Sequence, residues 1–235
     1  MELPNRAEHD SQAAAVLAKL YGQHRRELEG ILAHDPDIAN VPAEFWERVR
    51  RETEEDVAAL LFLVFLASAT LHGSGSTPRS GGSAAGEAVD AALRWSGQQA
   101  RLRAHDQVTG SRELLQRAMM EWQAQRAAGN PVTGAEIGER LVTIFGPNRA
   151  AREALDMVTT AQTAGGEWLM AHVGLLSAQD EWKTNPHLSK SGPCEICEPL
   201  NGTVRELWER VAPTGPPVHK RCVCEITYAA MKGEN

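Results

Sequence analysis

A group of five side chains near the C-terminal end of the sequence has the chemistry of a metal site. The group comprises Cys194, Cys197, His219, Cys222 and Cys224. Two cysteines separated by two residues can turn both sulfurs toward one ion, and the downstream His-x-x-Cys group can complete a tetrahedral set. Thiolate and imidazole ligands suit Zn²⁺, and a closed set of four protein ligands is typical of a structural site. The spacing therefore predicts a structural zinc ion.

Five candidate ligands compete for four positions. We assign Cys194, Cys197, His219 and Cys222 first, with Cys224 as the competitor for the place of His219. If residues 222–228 form a strand, Cys222 and Cys224 point to the same face, because side chains alternate along a strand. Both sets therefore remain open. Four buried thiols without a metal are the other interpretation of the same residues.

The beginning of the sequence favours metal binding over disulfide bonds. The first residues lack the basic and apolar regions of a secretory signal, so we expect a reducing compartment. Cysteines that cluster in such a compartment are typical of metal sites, whereas disulfide frameworks are typical of small secreted domains.

No catalytic arrangement accompanies the candidate ligands. The Pro193-Cys194 to Cys197 segment is half of the zinc-deaminase signature, but the His-x-Glu half is missing upstream. The metalloprotease pattern His-Glu-x-x-His, the Gly-x-Ser-x-Gly elbow and the Walker loop are also missing. The sequence therefore predicts no enzyme, with a metalloenzyme that uses the same Cys/His site as an alternative.

The charges around the site do not form a basic field. From Asp180 to Asn235 there are seven Lys or Arg and eight Asp or Glu, and the whole chain has a formal charge of −7. A broad surface for binding nucleic acid is therefore not expected, since such surfaces are basic. A zinc-dependent nucleic-acid-binding module remains the second alternative, with Lys220 and Arg221 as candidate phosphate contacts.

Helical patterns fill the chain as far as residue 178. Apolar residues recur at helical spacing around Val16 to Leu28 and again around Phe45 to Val64. The uncharged run from Val57 to Leu71 is shorter than the roughly 20 residues that span a membrane, so we expect a buried helix. Two further helices are predicted around Val89 to Leu93 and around Leu115 to Trp122. Thr133 and Glu136 have capping-box spacing at the start of another helix.

Composition divides the chain into four parts. We predict a helical region over residues 1–72, a Gly/Ser-rich linker or mobile loop over 73–86, a helical domain over 87–178 and a metal-stapled mini-domain over 179–235. The linker prediction rests on Gly, Ser and Ala residues, which bury too little surface to offset the entropy of ordering them.

The last part changes character because Pro and Gly interrupt it repeatedly. Short strands are predicted over Glu181–Thr184, Thr203–Leu207 and Cys222–Tyr228, with Asn201-Gly202 as a hairpin turn. A sheet this small has a poor core and needs a staple, which the zinc ion would supply. The predicted fold class is mainly α, with a small C-terminal α+β zinc-knuckle-like mini-domain of short antiparallel strands.

The last 60 or so residues resemble the phage head morphogenesis family, the Mu F-like minor head proteins. The family pattern is a helix ending in an Ala-Gly turn, a Trp-x-Thr strand, a Cys-x-x-Cys knuckle, a Leu-Asp-Gly-like turn and a final Pro-x-His-x-x-Cys-Arg-Cys. Three departures are Asn201 for the usual Asp, Val223 for the usual Arg, and the absence of the usual Arg-Thr-Glu from the preceding helix. The matching segments are Ala164-Gly165, Trp182-Lys183-Thr184, Cys194 to Cys197, Leu200-Asn201-Gly202, and Pro217 to Cys224.

The resemblance implies a minor structural protein of the head of a tailed phage. Such proteins associate with the portal protein, the major capsid protein or the capsid interior during assembly in the bacterial cytoplasm, and some accompany the packaged DNA. The resemblance thus implies a virion protein. No membrane partner is expected, and the sequence leaves the oligomeric state open. By this reading the helical N-terminal part, with its amphipathic stripes, is the arm that docks on portal or capsid.

Overall fold

The computed structural model describes residues 3, 5–33, 36–71, 83–130, 132–185 and 194–231. Helices account for 73% of the described residues, and a two-stranded antiparallel sheet lies near the C-terminal end. The prediction of a mainly α fold with a small C-terminal α+β mini-domain is therefore confirmed. Residues 73–82 of the predicted linker lie outside the described residues.

Six α-helices and two strands make up the described fold, together with three-residue 3₁₀ helices at Ile38–Asn40, Glu198–Leu200 and Ala229–Met231. The α-helices are α1 (Arg6–Leu32), α2 (Ala43–Leu71), α3 (Ser83–Ala127), α4 (Gly134–Ile144), α5 (Pro147–His172) and α6 (Arg205–Trp208), and the strands are β1 (Glu181–Lys183) and β2 (Glu225–Thr227).

Helix α3 corrects the prediction of two separate helices. It runs without interruption through the stretch where two helices were predicted, and it begins at Ser83, inside the predicted linker. No proline lies within α3, and the interior glycines Gly97 and Gly110 each cost only about 1 kcal/mol relative to alanine. The polar middle of the segment lowers its hydrophobic periodicity but does not end the helix.

The predicted capping box at the start of α4 is confirmed. The Thr133 hydroxyl accepts from the Glu136 backbone N–H at 3.3 Å, and the Glu136 carboxylate accepts from the Thr133 N–H at 2.7 Å. The hydrogen bond from the Thr133 backbone lowers the pKa of Glu136, with a smaller contribution from the Thr133 hydroxyl. Both terminal groups are thereby satisfied before the helix begins.

The apolar run of α2 buries one face. Val57, Leu61, Val64 and Phe65 are buried, whereas Leu63 on the opposite face is 56% exposed. No helix in the described ranges is long and apolar enough to cross a membrane.

The chain forms two compact units. Unit 1 contains Met1–Ala13, Ala59–Ser96 and Arg152–Asn235, and unit 2 contains Ala14–Ala58 and Gly97–Ala151. Each long helix contributes residues to both units, whereas the sequence divides the chain at residues 72, 86 and 178. Those boundaries stay predictions.

Unit 2 has an aromatic cluster around a buried histidine. The ring of His24, which is 1% exposed, packs edge-on against Phe45 at 6.4 Å and Phe145 at 6.3 Å between centroids. Its Nε2 lies 2.9 Å from a carboxylate oxygen of Glu52. Burial lowers the pKa of His24, and the hydrogen bond to Glu52 opposes that shift only in part.

In unit 1, two adjacent glycines let helix α5 contact other elements closely. A Cβ on Gly165 would lie 2.4 Å from the carbonyl oxygen of Phe65, and one on Gly166 would lie 2.7 Å from the Tyr228 hydroxyl. The sequence placed Ala164-Gly165 at the end of a helix, but α5 continues to His172. Here the small residues serve close packing, because only glycine leaves room for the neighbouring atoms.

The small sheet has two strands. Strand β1 pairs antiparallel with β2, and Trp182 lies opposite Ile226. The strand predicted over Thr203–Leu207 is wrong: only Val204 forms a bridge, to Glu181, and the chain then turns into α6. The i,i+4 ion pair from Arg205 to Glu209, at 2.8 Å, favours that helical turn.

Asn201-Gly202 forms a turn, but it does not join β1 to β2. Asn201 has φ −58° and ψ 124°, and only Gly202, with φ 76°, has a positive φ. The Thr203 N–H donates to the Leu200 carbonyl at 2.9 Å, which makes a type II turn. The turn presents its backbone to Trp182, whose carbonyl accepts from the Gly202 N–H at 2.8 Å.

Candidate metal centre

Cys194 and Cys197 lie in a turn that brings their side chains together. The N–H groups of Cys197 and Glu198 both donate to the Cys194 carbonyl, at 3.1 and 2.9 Å. The Cys197 N–H is also 3.3 Å from the Cys194 sulfur, so this sulfur already has a hydrogen-bond donor suited to a thiolate. The 3₁₀ helix Glu198–Leu200 follows, with Pro199 in its first turn. The Cys-x-x-Cys spacing therefore forms a preorganised pair.

His219 and Cys222 form the second arm of the site. The Cys222 N–H donates to the His219 carbonyl at 3.2 Å, and Arg221 between them has φ 69°. This tight turn places the His219 Nε2 atom 2.9 Å from the Cys194 sulfur and 3.0 Å from the Cys197 sulfur. The Cys222 sulfur lies 3.8 Å from that of Cys197. Both arms thus meet at the sulfur of Cys197.

The orientation of the His219 ring is that of a metal ligand. Its Nδ1 lies 2.8 Å from the backbone oxygen of Lys220. A carbonyl oxygen can only accept, so Nδ1 carries a hydrogen, and Nε2 is the nitrogen that faces the sulfurs. Metal-binding histidines are usually fixed in this way, by a hydrogen bond from the other ring nitrogen to a carbonyl or carboxylate. The ring is therefore oriented as an ion requires.

The distances between ligand atoms can be compared with those of a zinc tetrahedron. Zn–S bonds of about 2.3 Å separate two sulfurs by about 3.8 Å, and a Zn–N bond of about 2.0 Å gives an S···N separation of about 3.5 Å. The Cys197 and Cys222 sulfurs are 3.8 Å apart. His219 Nε2 is closer to Cys194 and Cys197 than the tetrahedron requires, by about 0.6 Å. A small outward movement of this ring would open the ligand set to an ion.

Cys224 lies close to Cys197 and Cys222. The five side chains form two triads that could hold a metal ion, Cys194–Cys197–His219 and Cys197–Cys222–Cys224, which share Cys197. Cys224 is buried, and the fully buried indole N–H of Trp182 faces its sulfur. This N–H has no other hydrogen-bond partner among the described residues.

The three buried thiols shift each other's pKa values through hydrogen bonds. Hydrogen bonds from Cys197 and Cys224 hold the pKa of Cys222 well below its usual range. The hydrogen bond to Cys222 raises the pKa of Cys197, and hydrogen bonding to Cys224 together with burial raises it further. Of these sulfurs, Cys222 is therefore the one that most readily gives up its proton to a divalent cation.

Helix α5 holds the ligand-bearing segment, residues 219–225, at three points, one residue per turn. The Asp156 carboxylate accepts from the Arg221 N–H at 2.7 Å. The Thr159 hydroxyl donates to the Cys222 carbonyl at 2.8 Å, and the Gln162 amide donates to the Glu225 carboxylate at 3.4 Å. These polar side chains fix the backbone on which His219, Cys222 and Cys224 lie.

A buried ion-pair cluster fastens the other side of the mini-domain. The guanidinium of Arg205 contacts Glu167 at 2.6 Å and the fully buried Asp180 at 3.1 Å, and it lies 4.8 Å from the ring centroid of Trp208. Burial on its own lowers the pKa of Arg205, but hydrogen bonds to Glu167 and Glu209 raise it above its usual range.

Asp180 is the centre of that cluster. Its Oδ1 accepts from the Ala229 N–H at 2.9 Å, and its Oδ2 accepts from the Ser177 N–H at 3.0 Å. Four hydrogen bonds to one carboxylate, counting two from Arg205 at 3.3 and 3.1 Å, satisfy its buried charge.

The structure places the five predicted ligands in two triads that share Cys197. Pro193, next to Cys194, lies outside the described residues. Sequence reasoning missed the supporting residues Asp156, Thr159 and Gln162. The signal was present, because these three polar residues recur at every third position of one helix. The sequence alone did not show that this stripe faces the ligands.

Comparisons of the chain with protein-family models, with curated proteins and with solved structures found no match. The functional assignment therefore depends on the motifs and on the chemistry of the Cys/His cluster, which could bind a metal ion.

Proposed function

We propose that this chain is a minor head morphogenesis protein of a tailed phage, and that its Cys/His cluster holds a structural zinc ion. In this proposal the chain has no enzymatic activity. It acts in capsid assembly at the portal or the capsid interior, and the helical part provides the contact with portal or major capsid protein.

The family part of the proposal is supported by the order of its motifs. A Trp-x-Thr strand, a Cys-x-x-Cys knuckle, an Asn-Gly turn and a Pro-x-His-x-x-Cys-x-Cys end follow one another in the sequence. In the fold these segments contact each other. Trp182 hydrogen-bonds to the turn at Gly202 and Thr203, and its indole faces Cys224. A common structural purpose explains why the motifs would occur together.

The observation that carries the metal assignment is the orientation of the His219 ring. Its Nδ1 contacts the Lys220 carbonyl and its Nε2 lies against the sulfurs of Cys194 and Cys197, while Cys222 lies at a tetrahedral S–S distance from Cys197. Cys194, Cys197, His219 and Cys222 would hold the ion, and this donor set of three thiolates and one imidazole selects Zn²⁺. The ion would supply cross-linking of two short segments.

A structural role fits this site better than catalysis or nucleic-acid binding. Five protein ligands for four positions would leave no position for substrate or water, which catalytic zinc requires. The exposed charged residues next to the ligands in the chain are Glu195 and Glu198 on one arm, and Lys220 and Arg221 on the other. This balance of charge does not favour binding to phosphates.

Metal analysis of the purified full chain tests the zinc site. We expect one zinc ion per chain by native mass spectrometry, with all four thiols protected from a thiol reagent until a chelator is added. Zinc-free protein with four freely titrating thiols would contradict the metal assignment.

Quantitative mass spectrometry of purified virions tests the head function. We expect the chain in heads of the phage that encodes it, in few copies relative to the major capsid protein. Heads made with the Cys197→Ser variant should contain less of it, whereas Cys224→Ser serves as the matched control. Normal infectious heads that lack the chain altogether would refute a role in head assembly.

A further inference from the structure

A buried arginine in the first turn of helix α1 contacts helix α5, which supports the candidate metal centre. Arg6 is 3% exposed. Its guanidinium donates to the Thr159 hydroxyl at 2.7 Å and to the Gln162 side-chain oxygen at 2.6 Å, and its Nε donates to Asp10 at 2.9 Å. The charge is thus neutralised within α1, while the remaining donors bind helix α5.

The two α5 residues that bind Arg6 also hold the ligand-bearing segment, residues 219–225. Thr159 donates to the carbonyl of Cys222, and Gln162 donates to Glu225. One hydroxyl therefore lies between the guanidinium of Arg6 and the backbone of a zinc ligand, with distances of 2.7 and 2.8 Å on its two sides. Thr159 is fully buried, so water cannot replace either partner.

This arrangement links the position of the Cys222 backbone to the contact between Thr159 and Arg6. The Thr159 hydroxyl has one hydrogen, and it can donate that hydrogen to Cys222 while its lone pair accepts from Arg6. If the Cys222 backbone moves when the ion leaves, the hydroxyl must rotate or lose its acceptor. Either change weakens the contact with Arg6, and a buried guanidinium that loses a partner is costly to retain.

We propose that metal binding at the Cys/His cluster and docking of the first turn of α1 are coupled through Thr159 and Arg6. The inference rests on the metal site of the proposed function, and it makes Thr159 and Arg6 positioning residues of that site. Coupling between two equilibria is reciprocal: the bound ion stabilises the docked turn, and the docked turn raises the affinity for the ion by the same factor.

Zinc affinity of full-length variants tests one direction of the coupling. We expect Thr159→Val and Arg6→Met each to weaken zinc binding about tenfold, the lower end of the range for residues that support ligands. Thr159→Ser keeps the hydroxyl and should restore wild-type affinity. Thr143→Val, an exposed helical threonine, and Arg210→Met, an exposed arginine of the mini-domain, are the matched controls and should bind zinc normally.

Hydrogen–deuterium exchange of the wild-type chain tests the other direction. Removing zinc should speed exchange of the amides of residues 8–13 about tenfold, whereas the amides of α4 in unit 2 should not change. This measurement decides the question even if Thr159→Val fails to fold.

The outcomes separate this inference from the proposal on which it rests. If the wild-type chain binds no zinc, the metal site and the coupling both fail. If it binds zinc but exchange at residues 8–13 is the same with and without the ion, only the coupling is overturned. Equal zinc affinities of Thr159→Val and Thr159→Ser would overturn it as well.

Discussion

Replacing each candidate ligand in turn distinguishes the two ligand sets that the sequence left open. The full chain would carry Cys194→Ser, Cys197→Ser, His219→Ala, Cys222→Ser or Cys224→Ser. We expect the first four substitutions to remove a zinc ligand and the fifth to remove only a neighbour of the ligands. The geometry behind this expectation is the convergence of His219 Nε2 and the Cys222 sulfur on Cys197, at 3.0 and 3.8 Å.

The size of each effect follows from the energy of a structural zinc site. Such a site contributes about 10–16 kcal/mol at neutral pH, so one of four ligands accounts for about 3 kcal/mol. Since each 1.4 kcal/mol corresponds to a factor of ten, losing a ligand should weaken binding on the order of 100-fold. Cys224 contributes hydrogen bonds worth about 1 kcal/mol, so its loss should cost less than tenfold.

Competition with a coloured zinc chelator at constant pH measures these affinities directly. Circular dichroism of each variant would show that the helical part remains folded. The reasoning is refuted if Cys224→Ser loses about 100-fold in affinity while His219→Ala stays within tenfold of wild type. The ligands would then be the four cysteines, and the ring of His219 would be a hydrogen-bonding neighbour.

Two further predictions concern the helical part. Gly165→Ala should destabilise the chain by about 1–3 kcal/mol in urea unfolding, because its Cβ would clash with the Phe65 carbonyl. A Cβ on Gly97 meets open space, so the control Gly97→Ala should instead stabilise the chain by up to about 1 kcal/mol. Equal effects of the two substitutions would contradict the packing argument. The pKa of His24 is lowered in the folded state, so the unfolded chain binds a proton more readily than the folded chain does. The contribution of His24 to stability should therefore be complete above pH 6.5. It should decrease as the pH falls from 6.5 toward the folded-state pKa, by up to about 1.4 kcal/mol per pH unit. Unfolding free energies across pH 5–8 should show this acid sensitivity in the wild type and not in His24→Gln; an identical slope in both would contradict it, as Glu52 would then be the source.

Local patterns were sufficient where a few neighbouring residues determine the structure. The capping box at Thr133 and Glu136 needs only the hydrogen-bonding groups of one turn, and the sequence predicted it correctly. The same is true of the knuckle, since the spacing of Cys194 and Cys197 determines which way both sulfurs point. In both cases the interacting residues lie within four residues of each other in the sequence.

Prediction failed where distant residues decide. The segment after Thr203 has strand-like composition, yet Arg205 lies in helix α6, where Asp180 and Glu167, far away in the sequence, bind its guanidinium. Arg6 could not be assigned to the candidate site, because its partner Thr159 is 153 residues away. The fourth ligand stayed open for the same reason: spacing cannot show whether His219 or Cys224 lies nearer the knuckle.

The carboxylate of Asp180 gives the mini-domain a mechanical property. Its two oxygens bind the backbone at Ser177 and at Ala229, one before and one after the segment that carries the ligands. A pulling force applied to the chain beyond Ala229 would load the hydrogen bond between the Ala229 N–H and Asp180 before it reached any ligand. Tension from the C-terminal side must therefore break this bond before it can distort the cysteines.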